Sequence, residues 1–246
     1  MRGILQIDEN TASTVFNAET LFCCGGGNRP CKFHTDNKAY LVSYEGATRQ
    51  EADMREGRLR PGIVYHNDSS TVFVFGGDGD GGAPLRTVLK YSFPKPDNLM
   101  AKKRPSGAWV SSPDMTQPRS GFNPCLFAGY IYIAGGGHDS IETYDPATDH
   151  HMLFPPTENV DPDIIIMVTH MDKLVMIGRE RVLRRSHSEG RTVDDRMSMA
   201  TPAWSNTTPM VAEDAVFTVQ ITSHGVTLLK LGVLTGRVLA VRSTGR

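Results

Sequence analysis

Polar residues with the spacing of a nucleotide- or metal-binding loop directly follow an apolar segment. The sequence GDGDGG (77–82) satisfies the G-x-G-x-x-G pattern and comes after TVFVF (71–75), which has a strand-like composition. A dinucleotide site also needs a helix N-terminus for the pyrophosphate, but APLRTVLKY (83–91) has the pattern of a turn and a strand. Asp78 and Asp80 resemble the beginning of a calcium loop, yet the bidentate glutamate is missing at the expected distance. We therefore predict no nucleotide site, and calcium is a minor alternative.

Cysteine and histidine side chains of the kinds that bind zinc lie close together near the N-terminus: Cys23, Cys24, Cys31 and His34. However, Cys23 and Cys24 are adjacent in a strand-like segment, and successive strand residues point to opposite faces. These two thiols do not easily share a metal, so we predict no metal site and no cofactor. With Cys125 the chain has four cysteines, too few for a disulfide framework at this length. We expect a reduced, cytoplasmic protein.

The elements that must position these residues recur along the chain. An apolar, β-type run that ends in two glycines occurs as TLFCCGG (20–26), TVFVFGG (71–77) and YIYIAGG (130–136). Weaker copies are KLVMIGR (173–179) and AVFTVQI (215–221). Repeats spaced by roughly 40 to 60 residues indicate an array or a closed ring of similar units.

Aromatic residues follow the glycine pairs in a regular order. Tyr91 and Trp109 follow the second copy, and Tyr144 follows the third, with His151 in the place of the tryptophan. Together with an arginine in the turn ahead of the third copy, Arg119, this order resembles the kelch repeat. The resemblance is strong over residues 61–155, fair over 11–60 and weak over 156–246.

The resemblance implies an all-β fold, a kelch-type β-propeller of four-stranded antiparallel blades. About five blades are visible, and six is the alternative if the terminal strands close the ring. We expect a single domain over residues 1–246, with 1–10 as a candidate closing strand. The repeats are expected near 11–60, 61–112, 113–155, 156–203 and 204–246.

An enzyme on the same kind of scaffold is an alternative, because copper radical oxidases of the galactose oxidase type are also built on kelch-like propellers. Tyr65-His66 resembles one pair of their copper ligands, and PDMTQPRSG (113–121) resembles the stretch that carries their second tyrosine. At that place this chain has Gly121 followed by Phe122, so the required phenol is missing. We therefore do not expect a copper radical site.

The charge balance and hydrophobicity of the chain argue against two other classes of partner. The 246 residues carry a formal net charge of −1, without the basic excess that is typical of nucleic-acid binding. The longest apolar run, IIIMV (164–168), is too short to span a bilayer. We expect neither a nucleic-acid partner nor a membrane.

The loops after the glycine pairs are predicted to lie on one face with the blade-to-blade connections, around the mouth of the central channel. Proteins that resemble this one usually bind partners there, and loops on a rigid scaffold carry recognition residues. The candidate partner-binding residues are Asn28, Arg29, His34, Asp78, Asp80, Arg86, Arg119, His138 and Asp139. For each of them, the alternative is a solvated turn residue.

Basic residues leave several interpretations open. Arg119 precedes an inner strand, so its planar guanidinium either meets a partner's carboxylate at the channel mouth or binds backbone carbonyls of its own turn. The Lys102-Lys103-Arg104 cluster either binds an acidic surface of a partner or keeps the protein soluble. The basic segment 179–191 either binds an acidic peptide or a phosphate, or forms an exposed outer strand whose charges prevent pairing with other chains.

These features together predict a non-catalytic scaffold that binds a protein or peptide through the loops at the channel mouth. The arginines among the candidate residues favour an acidic partner. We expect a monomer or one part of a larger complex. The alternatives are a small-molecule enzyme with its site in the channel, and a ubiquitin-ligase substrate receptor that acts through a separate adaptor. A further alternative is a degenerate propeller whose last two blades need packing against a partner chain.

Overall fold

The structure is a computed structural model that describes the following residues: 11–17, 19–27, 35–43, 47–93, 107–154, 166–170, 173–177, 181–186, 192–196, 210–212, 215–222 and 225–232. Every regular element in these ranges is a β-strand, which confirms the predicted all-β class. Helices are absent from this part of the chain, and with them any helix long and apolar enough to cross a membrane.

Three complete four-stranded antiparallel sheets form the N-terminal part. Sheet 1 contains β1 (Ala12–Asn17), β2 (Thr20–Cys24), β3 (Ala39–Ser43) and β4 (Thr48–Gln50). Sheet 2 contains β5 (Gly62–His66), β6 (Thr71–Phe75), β7 (Val88–Ser92) and β8 (Ala108–Ser112). Sheet 3 contains β9 (Cys125–Phe127), β10 (Tyr130–Ile133), β11 (Glu142–Asp145) and β12 (His150–Leu153).

Two further sheets follow in the C-terminal part. Sheet 4 contains β13 (Ile166–His170), β14 (Lys173–Ile177), β15 (Arg181–Ser186) and β16 (Thr192–Arg196). Sheet 5 contains three strands within the described ranges, β17 (Met210–Ala212), β18 (Ala215–Thr222) and β19 (Gly225–Gly232). The order of strands in every sheet follows the chain, so that each sheet is a meander made from one stretch of sequence.

The repeated phrase marks the second strand of each sheet. The apolar runs before Gly25 and Gly76 are β2 and β6, and the run before Gly135 contains β10. The two weaker copies fall in β14 and β18. The repeat read from the sequence therefore locates one structural unit five times.

Sheets 1 to 4 pack face to face in chain order, and residues of one strand alternate between two cores. In β6, Val72 and Val74 pack in a core with sheet 1, whereas Phe73 and Phe75 pack in a core with sheet 3. Both faces of β6 are thus covered, which explains why the residues from Val72 to Phe75 are all apolar.

Neighbouring sheets also contact each other through their first strands. Strand β1 contacts β5, β5 contacts β9, β9 contacts β13, and β13 contacts β17. A third core joins sheets 3 and 4 and contains Tyr132, Ala134 and Met176. The first strands therefore line one side of the stack, with the later strands of each sheet further out.

One expectation about the basic segments is wrong, and the other lies outside the described residues. The segment 179–191 was expected to form an outer strand, but its strand β15 pairs with β14 on one side and with β16 on the other. An interior strand needs no protection of an open edge. Lys102-Lys103-Arg104 falls in the undescribed range 94–106.

Truncation of a side chain between sheets 2 and 3 tests this stacking. We expect Phe75→Ala to lower the free energy of unfolding by about 3–5 kcal/mol, because it leaves a cavity against Tyr144. Urea unfolding followed by tryptophan fluorescence measures the change. Val110→Ala is the control, since Val110 is 55% exposed, and it should change stability by less than about 0.5 kcal/mol. Equal, small losses in both variants would contradict the packing of these sheets.

Candidate functional site

The loops after the glycine pairs lie against the connections between sheets, as the alternation of strand directions predicts. Gly26 N donates to Arg58 O at 2.8 Å, and Gly77 N donates to Arg119 O at 2.9 Å. Arg58 and Arg119 belong to the connections that lead to sheets 2 and 3. We call this surface the glycine-loop face, comprising residues 25–27, 35–38, 56–60, 76–86, 114–121 and 135–140.

Arg58 is fully buried and binds the end of the glycine strand in its own repeat. Its Nη1 donates to Gly76 O at 3.0 Å and to Thr87 O at 2.9 Å, and its Nη2 donates to Thr87 Oγ1 at 2.8 Å and to Glu56. Burial lowers the pKa of the Arg58 guanidinium, whereas the Glu56 carboxylate raises it. Arginine stays charged in proteins, so Arg58 is a fixed cation that joins β6 to the segment entering β7.

Arg119 makes the same contacts one repeat later. It is fully buried, its Nη1 donates to Gly135 O, and its Nη2 donates to Ser140 O at 3.0 Å and Ser140 Oγ at 2.7 Å. Of the two interpretations of Arg119, the geometry matches the one in which the side chain binds backbone carbonyls. Sequence reasoning missed its counterpart Arg58, although both arginines precede a glycine pair by a similar number of residues.

The glycines are required where the two backbones meet. Gly25 has φ +66° and Gly76 has φ +54°, and a Cβ on Gly25 would lie 2.5 Å from Arg58 O. A Cβ on Gly76 would overlap Arg119 O in the same way. Each arginine therefore presents its carbonyl to the preceding glycine pair and its guanidinium to the following one. We call each such meeting of a glycine pair with the arginine of the next repeat a glycine–arginine junction.

Two carboxylates among the candidate residues are bound within the face. Asp78 is buried, and its Oδ2 accepts from Arg60 Nε at 3.0 Å and from Arg60 Nη2 at 2.6 Å. Asp80 is exposed, and its Oδ1 accepts from Thr35 Oγ1 at 2.6 Å. These contacts connect the loop of sheet 2 to its own entering connection and to the loop of sheet 1.

The exposed part of the face is formed by residues of sheets 2 and 3. Arg86 and Asp114 form an ion pair at 3.1 Å with side chains that are 59% and 40% exposed. His138 Nε2 donates to Pro118 O at 2.9 Å, and Asp139 is exposed beside it. A surface pair of this kind contributes little to stability, so these side chains are available to a partner at low cost.

The structure thus places Asp78, Asp80, Arg86, Arg119, His138 and Asp139 on the glycine-loop face, with Asp78 and Arg119 buried in it. The predicted residues Asn28, Arg29 and His34 lie outside the described residues. Their role in binding stays a prediction.

A second set of contacts joins the outer strands of neighbouring sheets. Tyr91 donates to Glu51 Oε2 at 2.5 Å, and its ring contacts that of Trp109 in a tilted arrangement with 4.9 Å between ring centroids. Trp109 Nε1 donates to Ala52 O at 2.6 Å, so the ring binds backbone of the connection between sheets 1 and 2.

His151 occupies the same place in sheet 3. Tyr144 pairs with His151 as Tyr91 pairs with Trp109, and the Tyr144 and His151 rings lie 4.8 Å apart. His151 Nε2 contacts Pro113 O at 3.0 Å, in the connection between sheets 2 and 3. The prediction that His151 takes the place of a tryptophan is confirmed.

The residues weighed for copper chemistry take part in packing and turns. Tyr65 lies against the rings of Phe16 and Phe93, and His66 Nδ1 is 2.8 Å from Ser69 Oγ in the hairpin. Phe122, in the place of the second tyrosine, is buried between sheets 2 and 3.

The thiols of β2 are buried on a fully paired strand. Burial raises the pKa of the Cys23 thiol to about 12 and also raises that of Cys24. A thiolate is the form that binds metals, so the burial of these two thiols disfavours zinc binding. Within the described ranges, no three Cys, His, Asp or Glu residues are grouped as metal ligands would be.

Comparison with known proteins adds no relative: no protein-family model matches the chain, and no curated protein matches its sequence.

Removal of one buried arginine tests the junction. We expect Arg58→Met to lower the free energy of unfolding by about 3–5 kcal/mol, because Gly76 O, Thr87 O and Glu56 each lose a hydrogen bond from a buried charged donor. Thermal and urea denaturation measure it. Arg86→Met is the matched control and should cost less than about 1 kcal/mol, since its ion pair is exposed. If both arginines prove equally dispensable, the junction does not support the fold.

A methyl group on a junction glycine should be far more damaging than one on a free glycine. We expect Gly76→Ala to cost about 2–5 kcal/mol, the sum of left-handed strain and overlap with Arg119 O. Gly81→Ala provides the control, because Gly81 also has a positive φ, +89°, but a Cβ there meets no atom within 4 Å. That variant should lose only about 1–2 kcal/mol in the same denaturation experiment.

Proposed function

We propose that the stacked sheets are the blades of a kelch-type β-propeller with five blades. The glycine pair at the end of the second strand, the tyrosine on the third and the tryptophan or histidine on the fourth support this proposal. So do the contacts between successive first strands, which would line a central channel. A ring of such blades leaves only short strand edges, which suits a chain of repeated sheets.

On this scaffold we propose a non-catalytic function, the binding of a protein or peptide by the glycine-loop face. The observation that carries the proposal is that this face combines a well-held backbone with exposed side chains. The buried guanidinium groups of Arg58 and Arg119 bind the backbone of the face, while Arg86, Asp114 and Asp139 face the solvent. A surface whose backbone is already ordered loses little entropy when a partner binds.

The charges of the exposed residues suggest the chemistry of the partner. Arg86 and Asp114 are paired to each other, and each can exchange that contact for one with an opposite charge on a partner. His138 and Asp139 add a donor and a carboxylate on the neighbouring loop. A segment that carries both acidic and basic side chains fits this arrangement, and complementary charges at such a rim mainly set specificity and association rate.

Binding by two sets of variants tests the proposed face. Partners retained by the wild type from native cytosol at physiological salt are identified, purified and titrated. We expect the triple variant Arg86→Ala, His138→Ala, Asp139→Ala to bind at least about tenfold more weakly, because it removes exposed contacts and leaves both buried arginines in place.

The control variant changes three exposed residues at the opposite ends of the strands, Glu19→Ala, Asp68→Ala and His150→Ala. It should bind as the wild type does. Loss of binding in the control alone would assign the interaction to the opposite face. A wild type that retains no specific partner would reject the scaffold proposal.

A further inference from the structure

Arg60 has a backbone conformation for which the next repeat uses a glycine. Its φ is +50°, in the left-handed region that favours glycine and strains a residue with a Cβ. Arg60 follows the buried Arg58 by two residues, and Gly121 follows Arg119 in the same way, with φ +67°. The other non-glycine residues with positive φ in the described part of the chain lie in hairpins: Ser70, Ala128 and Asp149. Arg60 therefore keeps a long side chain at a position that suits glycine.

The residue that binds the Arg60 side chain also stands at a position where other repeats have glycine. Asp78 follows the glycine pair of sheet 2, whereas Gly27 and Gly137 follow the glycine pairs of sheets 1 and 3. The side chain of Asp78 is 4% exposed and that of Arg60 is 37% exposed, so the carboxylate holds the guanidinium from the buried side. Sheet 3 has neither member of this ion pair, which shows that the repeat does not need the pair in order to form.

Asp78 binds one edge of the Arg60 guanidinium and leaves the other edge available. Asp78 Oδ2 accepts from Nε at 3.0 Å and from Nη2 at 2.6 Å. Nη1 makes no hydrogen bond with any residue in the described part of the chain. A guanidinium has five N–H donors in one plane, so the second N–H of Nη2 and both N–H groups of Nη1 remain for another acceptor.

The available edge lies where the first strands of sheets 2 and 3 begin. Arg60 comes two residues before β5, and its Nη1 lies beside Gly121, which precedes β9. A Cβ on Gly121 would be 3.4 Å from Nη1, so a longer side chain there would cover the donors. In the propeller proposed above, the first strands line the channel. The guanidinium of Arg60 then lies at the channel mouth.

We propose that Arg60 binds an aspartate or glutamate carboxylate of the partner through Nη1 and Nη2, and that Asp78 is the residue that positions its guanidinium.

The chemistry of the guanidinium selects this ligand. Its planar pair of terminal nitrogens matches the two oxygens of a carboxylate, which accept two parallel hydrogen bonds. Because Asp78 already holds the guanidinium, the side chain loses less rotamer freedom when a second carboxylate binds. This inference names the partner chemistry of the glycine-loop face, and it rests on the function proposed above where it assigns the carboxylate to a partner protein.

Titration of the isolated, nitrogen-15-labelled protein with the peptide acetyl-tetraglutamate amide tests the site without a natural partner. NMR spectra follow the Nε–H signal of Arg60 and the amide signal of Gly121, whose N–H donates to Arg60 O at 3.0 Å. We expect both signals to shift and to saturate at millimolar peptide. Acetyl-tetraglutamine amide, which lacks the carboxylates, should cause no saturable shift. Unchanged signals with the tetraglutamate peptide would overturn the proposal.

Variants separate the Arg60 contact from a general effect of charge. Arg60→Gly introduces the residue that sheet 3 has at this place, and it should bind the tetraglutamate peptide at least about tenfold more weakly, measured at the Gly121 amide. Arg55→Gly is the matched control, because it removes a nearby exposed arginine, and it should bind as the wild type does. Wild-type affinity in Arg60→Gly, or an equal loss in Arg55→Gly, would contradict the proposal.

A double variant covers the case in which Arg60→Gly does not fold because the buried Asp78 has lost this ion pair. Arg60→Gly with Asp78→Gly reproduces the residues of sheet 3 at both positions and should fold but bind the peptide as weakly as the single variant. Wild-type affinity in the folded double variant would overturn the proposal. The peptide is synthetic, so these results are independent of whether a cytosolic partner is retained by the glycine-loop face.

Discussion

The structure depends on the bonding of two buried guanidinium groups. A charge removed from water must be matched by acceptors, and Arg58 and Arg119 find them in the carbonyls at the end of one strand and the beginning of the next. Their own carbonyls, in turn, accept from Gly26 and Gly77 of the preceding repeats. Each arginine therefore binds the second strand of the sheet that follows it and also joins that sheet to the preceding one. Only a glycine leaves room for the contact with the arginine carbonyl.

The order of the sheets follows from this constraint together with strand alternation. Because β6 supplies Val72 and Val74 to one core and Phe73 and Phe75 to another, sheet 2 has two apolar faces and needs a neighbour on both sides. The glycine–arginine junctions set which ends of the sheets meet. The loops at those ends are held in place by backbone contacts, which frees their outward side chains from a structural role.

Much of this architecture could be predicted from the sequence, because each sheet needs the same apolar strand, glycine pair and aromatic residues, and these therefore repeat along the chain. The glycine pairs located the second strands, and the position of His151 after Tyr144 identified it as the counterpart of Trp109. What could not be predicted were contacts between segments distant in sequence. Nothing in the residues around Arg119 decides between a partner's carboxylate and Gly135 O, and nothing near Arg60 indicates that it meets Asp78.

The direction of the junctions has a consequence for how the chain acquires its structure during synthesis. The loop of sheet 1 begins with Gly25 and Gly26, and the acceptor of Gly26 N is the carbonyl of Arg58, more than thirty residues later in the chain. The loop of sheet 2 waits in the same way for Arg119. The N-terminal end is synthesised first, so sheets 1 and 2 leave the ribosome before the arginines that complete their junctions. We therefore expect the loops of sheets 1 and 2 to reach their final arrangement only after the following connection has been synthesised.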